Sequence, residues 1–570
     1  MEKRPWLKSY DRQVPHTLSY PEQPVTYFLK EAARNYPNHP CTIFEDNVLT
    51  YRQMDALTDL LAAGLRMLGV EKGERVGVVL PNSPQFVLAF YGTLKAGGVV
   101  VAANPAYRKG ELQYQFADSG VKVLIGLKEL EPMLDAVGED CGIEQLILTD
   151  LSDASWLVRA LDGGGGHIER EAGRDRAVKQ KTDLVSFLKA CCGLKMELPA
   201  IGPEDVAIFQ YSGGTTGIPK AAIGLHRNMV ANTVQFSRWL VGLEEGKEAV
   251  LAAIPLFHVY GMVIAMSMGV AIGASLVLIS NPRDIADILT NIQRYKTTLF
   301  PGVPNMYGAI NHHPDVLAGK YDLRSIKACI SGSAPLLEET RVTFEQLTGG
   351  KLLEGYGLSE APTATHCNPM QGGNRAGSIG LPLPDMDCRI VDLETGRVEL
   401  GTGEAGELII KGPTIMRGYH NMPEQTDLTL RNGWLYTGDI ARMDSDGYFY
   451  LVDRKKDLMK IGGLQVWPRE VEEAIAAHPK VLEVGVAGVI DPQRGERVKA
   501  WIVLKPGEQL TLEEVKAWCR ERIAPYKAPS LVAFVDKLPR TTVGKILRRE
   551  LVRMHHEASE NQPEQFKQDE

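Results

Sequence analysis

The first half of the chain alternates short apolar runs with stretches of helical period. In ERVGVVLPNSPQFVLAFYGTLKAGGVVVAAN (74–104), Val76–Leu80 predicts a strand, Gln85–Lys95 a helix and GGVVVAA a second strand. A strand–helix–strand unit implies parallel pairing. Comparable runs return at VKVLIG (121–126), QLILTD (145–150), EDVAIFQYS (204–212), AVLAAIP (249–255) and GASLVLI (273–279). Apolar strands interleaved with helices predict sheets covered by helices on both faces.

The pattern changes along the chain. Residues 152–200 carry GGGG (163–166) and a charged run, EREAGRDRAVKQK, and read as a solvated excursion with partial helix. From about 375 to 452, short runs such as CRIVD, GELIIKG, WLYTGD and GYFYLVD are separated by Gly, Asp and Asn. That texture predicts antiparallel strands with tight turns, arranged as a small barrel. Beyond DRKKD (453–457) the texture is compact α+β. PREVEEAIAAHPKV and LTLEEVKAWCRERI predict amphipathic helices, the second capped by Thr511, and VLEVGVAGV and VKAWIVLK predict strands. The last residues, HHEASENQPEQFKQDE, are polar and read as a frayed tail.

No Asp, Glu, Lys or Arg occurs between Glu248 and Arg283, and GMVIAMSMGVAIGASLVLIS (261–280) is long enough to span a bilayer. Recurrent glycines and the strand-like end SLVLIS read instead as a helix followed by a buried parallel strand, and no basic cluster flanks the run as an anchor requires.

At 570 residues the chain exceeds one hydrophobic core and predicts roughly three or four structural units. The formal charge of −8 argues against a dedicated nucleic-acid binder. Eight scattered cysteines without a CxxC pair read as reduced thiols of a cytoplasmic protein. The start, MEKRPWLKSYDRQ, lacks the apolar core of a signal peptide.

Candidate chemistry concentrates in QYSGGTTGIPKAA (210–222), where three glycines, three hydroxyl side chains and a lysine share one short run. Such a run suits phosphate, yet it departs from G-x-x-x-x-G-K-[ST], because Gly217 precedes Ile-Pro-Lys and Lys220 precedes alanine. YSGGTTGIPK (211–220) resembles the phosphate loop of the adenylate-forming superfamily, which includes acyl-CoA synthetases, luciferases and peptide-synthetase adenylation domains. IPLFHVYG (254–261), SGSAPL (331–336), EGYGLSE (354–360), YTGD (436–439), DRKKDLMKIGG (453–463) and PRTTVGKILRR (539–549) match its other motifs in order, over roughly residues 20–555. NGWLYTGDIARMDSDGYFYLVDRKK (432–456) and LFPGVPNMY (299–307) resemble long-chain fatty acyl-CoA synthetases within it.

The resemblance implies an α/β fold. A large N-terminal part (1–452) would hold two α/β subdomains plus a small β-barrel (about 375–452). A hinge at 453–457 would join it to a small, mobile α+β C-terminal domain (458–555), with a polar tail at 556–570. It implies a ligase that consumes ATP and the co-substrate CoA and uses Mg²⁺ as cofactor. A fatty acid, medium- to long-chain, would become acyl-AMP with release of pyrophosphate, and then acyl-CoA with release of AMP. Two anions must meet in the first step, so neutralisation and positioning dominate.

The implied roles fall on residues of this sequence. Ser212, Gly213, Gly214, Thr215, Thr216 and Gly217 would cradle the β- and γ-phosphates as an anion nest, with Lys220 beside them. Thr215 and Glu360 would hold Mg²⁺. Gly332, Ser333, Ala334 and Pro335, with Glu354, Gly355, Tyr356, Gly357, Leu358 and Ser359, would surround adenine, Tyr356 lending its ring. Asp439 would accept the ribose hydroxyls and Arg454 would donate to ribose or phosphate. Lys545 would bridge carboxylate and α-phosphate. Rotation at Lys456 would withdraw it and bring in Lys460, Gly462 and Gly463 along a pantetheine channel. Lys527, Arg548 and Arg549 would meet the CoA phosphates. His258, Val259, Tyr260, Gly261, Val303, Met306, Gly357 and Leu358 are candidate walls of the acyl pocket, His258 its gate; Met262 stands where some relatives carry a gating tryptophan.

Alternatives are an acyl-AMP ligase or a CoA ligase acting on another acid or acceptor, a nucleotide-binding scaffold without catalysis, and a transporter built on 249–282. The joint presence of Thr215, Glu360, Asp439 and Lys545 disfavours the scaffold. Peripheral membrane contact and a homodimer are compatible with the ligase reading.

Overall fold

The computed structural model describes residues 4–160, 180–194, 196–212, 219–461, 464–491, 495–540 and 546–561. Contacts divide the chain into two compact units, residues 1–387 with 411–435, and residues 388–410 with 436–570.

Two sheets build the larger unit. Among the described residues, the first has seven strands, and its parallel core is Arg75–Val79, Val99–Ala102, Val123–Leu127 and Gln145–Thr149. The predicted strand–helix–strand opens it: Pro84–Lys95 is a helix capped by Ser83, and all but its last residue are buried. Val206–Ser212 joins parallel to Val99–Ala102, and Lys220–Leu225 returns antiparallel along it, with Ser212 opposite Lys220. The second sheet has nine strands; its parallel core includes Ala249–Ala252, Ser275–Leu278, Leu299–Gly302, Ala328–Ser331 and Lys351–Gly357.

The uncharged stretch behaves as its pattern predicts. Tyr260–Ser267 is a π-helix, Met268–Ala271 continues as α-helix, and Ser275–Leu278 is the following parallel strand. Every residue of the π-helix is buried. No helix among the described residues is long and apolar enough to cross a membrane.

Residues 152–200 differ from the expectation. Their glycine run and most of the charged run lie outside the described residues, but Gln180–Asp183 pairs with Gln145–Thr149 at the sheet edge. The helix Leu184–Cys191 then buries Leu184, Phe187, Leu188 and Cys191. That spacing is an amphipathic face, and the charged run beside it masked the signal.

The helix His226–Trp239 orders the region around the motifs with buried amides on one face. Asn228 Nδ2 donates to the carbonyls of Pro413 (2.8 Å) and Ile415 (2.9 Å). One turn on, Asn232 Nδ2 donates to the Ala364 carbonyl (2.7 Å), and its Oδ1 accepts from the amides of Thr363 (3.0 Å) and Ala364 (3.2 Å). Both side chains are fully buried, so these bonds replace water that cannot reach the backbone.

In the smaller unit, Asp387–Val391, Gly406–Lys411, Trp434–Met443 and Phe449–Arg454 belong to an antiparallel-textured five-stranded sheet. Val481–Asp491, Gly495–Leu504 and Leu531–Phe534 form a three-stranded sheet. The helices Pro468–Ala476 and Leu512–Arg520 lie where their periodicity places them, and Thr511 caps the second in a reciprocal bond with Glu514.

Replacing Asn232 with alanine leaves two amides and a carbonyl without their buried partner. We expect a loss of about 3 kcal/mol in the stability of the larger unit, read from its thermal or urea transition. A loss below about 1 kcal/mol would show that the amide does not hold the 363–364 turn.

Candidate active site

Two glycine-containing motifs leave the carboxyl ends of neighbouring parallel strands. SGSAPL follows Ala328–Ser331, EGYG ends Lys351–Gly357, and Ser331 lies opposite Glu354. Open α/β sheets bind ligands at this edge. Gly332–Pro335 forms the loop before the helix Glu338–Thr348, and Ser333 sits at φ +70°. A non-glycine residue there is uncommon and marks a fixed loop shape. Beneath the loop, the Tyr260 hydroxyl donates to the Ile330 carbonyl at 2.6 Å.

The second loop is set by sterics. A Cβ at Gly357 would overlap the Thr363 carbonyl, so the chain can fold back on itself only with glycine there. The Leu358 amide then donates to Thr363 O (2.9 Å), closing a turn that carries Ser359 and Glu360 at its outer side. Tyr356 is buried, with its ring edge-on to His366 at 5.8 Å.

Residues 416–420 connect Glu360 with the strand after the phosphate loop. Ile223 donates to Gly418 O (2.9 Å), Arg417 to Ile223 O (3.0 Å) and His420 to Ala221 O (2.9 Å). The same segment reaches Glu360 twice: Met416 N–H donates to its carbonyl at 2.9 Å, and the Tyr419 hydroxyl donates to its Oε1 at 2.7 Å. Burial and the Glu360 charge push the Tyr419 phenol well above its ordinary range, so it remains a donor. Lys220 Nζ lies 5.3 Å from the Tyr419 ring centre and donates to Gln425 Oε1 at 2.7 Å. Lys220, Tyr419 and Glu360 are thus neighbours. Gly213 to Gly217 lie outside the described residues, as does the Ser212 side chain, but Ser212 and Lys220 fix the two ends of that loop.

His258 precedes the π-helix. Its Nδ1 accepts from the Tyr260 amide at 3.2 Å, and burial pushes its pKa down to about 4. The imidazole is therefore neutral at pH 7, its proton on Nε2.

In the smaller unit, Asp439 and Arg454 are cross-strand partners with a 2.9 Å ion pair, Asp439 buried and Arg454 half-exposed. Gly438 at φ +69° makes the turn into Asp439. Its amide donates to Glu407 Oε1 (3.2 Å), whose other oxygen pairs with Lys455 at 2.8 Å. Burial, reinforced by the neighbouring Arg454 charge, lowers the Lys456 pKa to about 8. Lys460 lies on Met459–Ile461, its amide held by Glu496 (2.7 Å). Gly462, Gly463 and Lys545 lie outside the described residues.

Two expectations are corrected. Arg548 does not stand out towards an anion: its guanidinium is engaged by Asp457 (2.8 Å), Glu472 (2.9 Å) and Asp453 (3.5 Å). Lys527 is held by both oxygens of Glu470, at 2.6 and 2.7 Å. Acidic partners far away in the chain, invisible to a count of local basic residues, absorb both charges. Sequence reasoning also passed over Tyr419 and Glu407. RGYHNMPE (417–424) carried a signal, a tyrosine between glycine and proline turns, but it was absorbed into the strand texture.

A hard divalent cation that keeps several waters needs few protein oxygens. Glu360 fits that need: Tyr419 fixes one carboxylate oxygen, which orients the group. Among the described residues, no cluster of three His, Cys, Asp or Glu could hold a metal instead.

The AMP-binding enzyme family matches residues 29–420, and its C-terminal domain matches residues 470–545. A long-chain-fatty-acid–CoA ligase of Bacillus subtilis (strain 168) is 43% identical over 565 residues, covering 96% of this chain and 98% of the relative. One of Escherichia coli O6:H1 is 36% identical over 555 residues, with 96% and 98% covered. Among solved structures, ATP-bound MatB from Rhodopseudomonas palustris is 27% identical with a TM-score of 0.80, over 94% of this chain and 99% of that one. The anthranilate CoA ligase AuaEII in complex with anthranoyl-AMP gives 27% and 0.80, over 94% and 98%. The chain belongs to the AMP-binding enzyme family of adenylate-forming ligases.

Proposed function

We infer that the chain is a long-chain-fatty-acid–CoA ligase that works through an acyl-adenylate. What carries this reading is the near full-length likeness to such ligases at 36–43% identity. A fatty carboxylate oxygen attacks the α-phosphorus of ATP, the bond to the bridging oxygen breaks, and pyrophosphate leaves. The CoA sulfur then attacks the acyl carbonyl and AMP departs, the thiol proton going to water.

The residue roles are those that the family likeness implies, and their charges suit them. Glycines and hydroxyls of 212–217 hold the terminal phosphates, and Lys220, steadied by Gln425, sets a positive charge beside them. Glu360 with Thr215 would hold Mg²⁺, which when bound neutralises phosphate oxygens. Tyr419 aims the Glu360 carboxylate. The 332–335 and 354–358 backbone takes adenine, Asp439 the ribose, and Arg454 lies beside it. Neutral His258 lines the mouth of the acyl pocket without adding charge that would hold water there. Lys545 supplies the cation between carboxylate and α-phosphate, and a backbone rotation at Lys456 separates the two half-reactions.

Purified enzyme given palmitate, ATP and CoA should yield palmitoyl-CoA, AMP and pyrophosphate. ADP with orthophosphate would overturn the reading. In Lys545→Ala, adenylation should fall on the order of a hundredfold or more, while thioester formation from supplied acyl-AMP stays within about threefold. Equal loss of both half-reactions would remove Lys545 from its role.

Tyr419→Phe tests the aim of Glu360. Losing a hydrogen bond to a charged group should slow pyrophosphate release roughly tenfold and raise the Mg²⁺ concentration needed for half-maximal rate. A magnesium titration superimposable on that of the unaltered enzyme would show that Tyr419 does not orient the carboxylate.

A further inference from the structure

Arg548 opens the helix Arg548–Asn561, and its guanidinium gathers groups from widely separated stretches. Nη1 donates to Asp457 Oδ2 at 2.8 Å and approaches Asp453 Oδ1 at 3.5 Å. Nη2 donates to Glu472 Oε2 at 2.9 Å and Nε to the Val486 carbonyl at 3.1 Å. Two of the three carboxylates have further backbone ties. Asp453 Oδ2 accepts from Arg469 N–H (2.6 Å) and Oδ1 from Arg454 N–H (2.7 Å), while Glu472 Oε1 accepts from Val486 N–H (2.8 Å). Asp453 is the penultimate residue of the strand Phe449–Arg454, and Asp457 ends the 3₁₀ turn Lys455–Asp457. They flank Lys456.

We propose that Arg548 is a positioning residue that latches the segment 453–457, gripping both flanks of Lys456 at once and so fixing one backbone conformation there. The proposal rests on the reading of two half-reactions separated by rotation at Lys456. For the backbone at Lys456 to turn, Asp453 and Asp457 must change their separation, and a single planar guanidinium cannot follow both. The contact to Asp453 is the longest of the three, so it is the one that gives. Releasing it leaves Arg548 still compensated by Asp457 and Glu472, and Asp453 still held by two amides. Neither partner is stranded as an unpaired buried charge, which makes the released arrangement accessible. Other charges facing the cluster are Arg454, Lys456 and Asp439; burial holds Asp453 and Glu472 above the usual carboxylate range while Arg548 draws both down.

The test uses the full-length enzyme and measures the half-reactions separately: pyrophosphate release from ATP and palmitate without CoA, and palmitoyl-CoA formation from supplied palmitoyl-AMP and CoA. Arg548→Met should change the ratio of the two rates by about tenfold or more, and Arg548→Lys should recover part of that change. Glu472→Gln removes one of the two carboxylates that compensate Arg548 once Asp453 lets go, so the released arrangement is disfavoured and the ratio should move about threefold or more in the direction opposite to Arg548→Met. Should Arg548→Met fail to fold, Asp453→Asn loosens the same grip from the other side, and the ratio must still move. The latch is refuted if the ratio is unchanged in folded Arg548→Met or Asp453→Asn, or if Glu472→Gln shifts it in the same direction as Asp453→Asn. Failure of the reading beneath it looks different: the unaltered enzyme would release no pyrophosphate with palmitate.

Discussion

The hydrogen bonds that stitch residues 416–420 between the strand Lys220–Leu225 and Glu360 are the constraint on which the larger unit's site depends. Backbone bonds at Ala221 and Ile223 fix the segment on one side. Met416 and Tyr419 fix the backbone and carboxylate of Glu360 on the other. A carboxylate on a turn would otherwise sample several rotamers, and each lost rotamer costs entropy at the moment a cation binds. Here that cost is met on folding, in the sense of preorganised electrostatics. The same segment puts the Tyr419 ring beside Lys220, so a cation and a carboxylate share one scaffold.

That scaffold stands on buried amides rather than on apolar packing. Asn228 ties down residues 413–415, just before the stitch, and Asn232 ties down 363–364, just after Glu360. They are four residues apart on one helix, so the two loops have a common reference and move together or not at all. Hydrophobic contacts would tolerate sliding; a bidentate amide between buried carbonyls and N–H groups does not.

The parallel core, its crossover helices, the buried nature of 261–280 and the amphipathic C-terminal helices were legible because each is a local pattern, of period two or near 3.6. Seven ordered motifs were legible because glycines, prolines and charges keep their spacing whatever the surroundings. The rest was not, for two reasons. Leu184–Cys191 was hidden by the charged run that precedes it. Arg548 and Lys527 read as a basic patch because Asp453, Asp457, Glu472 and Glu470 lie 57 to 95 residues away in the chain. Tyr419 acquires meaning only through Glu360, 59 residues distant. Long-range polar pairing leaves no periodicity to read.

Charge shows why such pairing is worth its desolvation cost. The first half-reaction brings a carboxylate to a triphosphate, and any cation left exposed near the site would hold those anions as a ground-state salt. A cation that binds both states equally lowers no barrier. Arg548 and Lys527 are paired within the fold and His258 carries no charge, while Lys456, lowered to about 8, still holds its proton at pH 7. The segment 453–457 obeys the same constraint. Its four charged residues in a row, Asp453 to Lys456, followed by Asp457, would repel or collapse as an isolated peptide, and the Arg548 guanidinium with its carboxylates converts that run into a defined conformation.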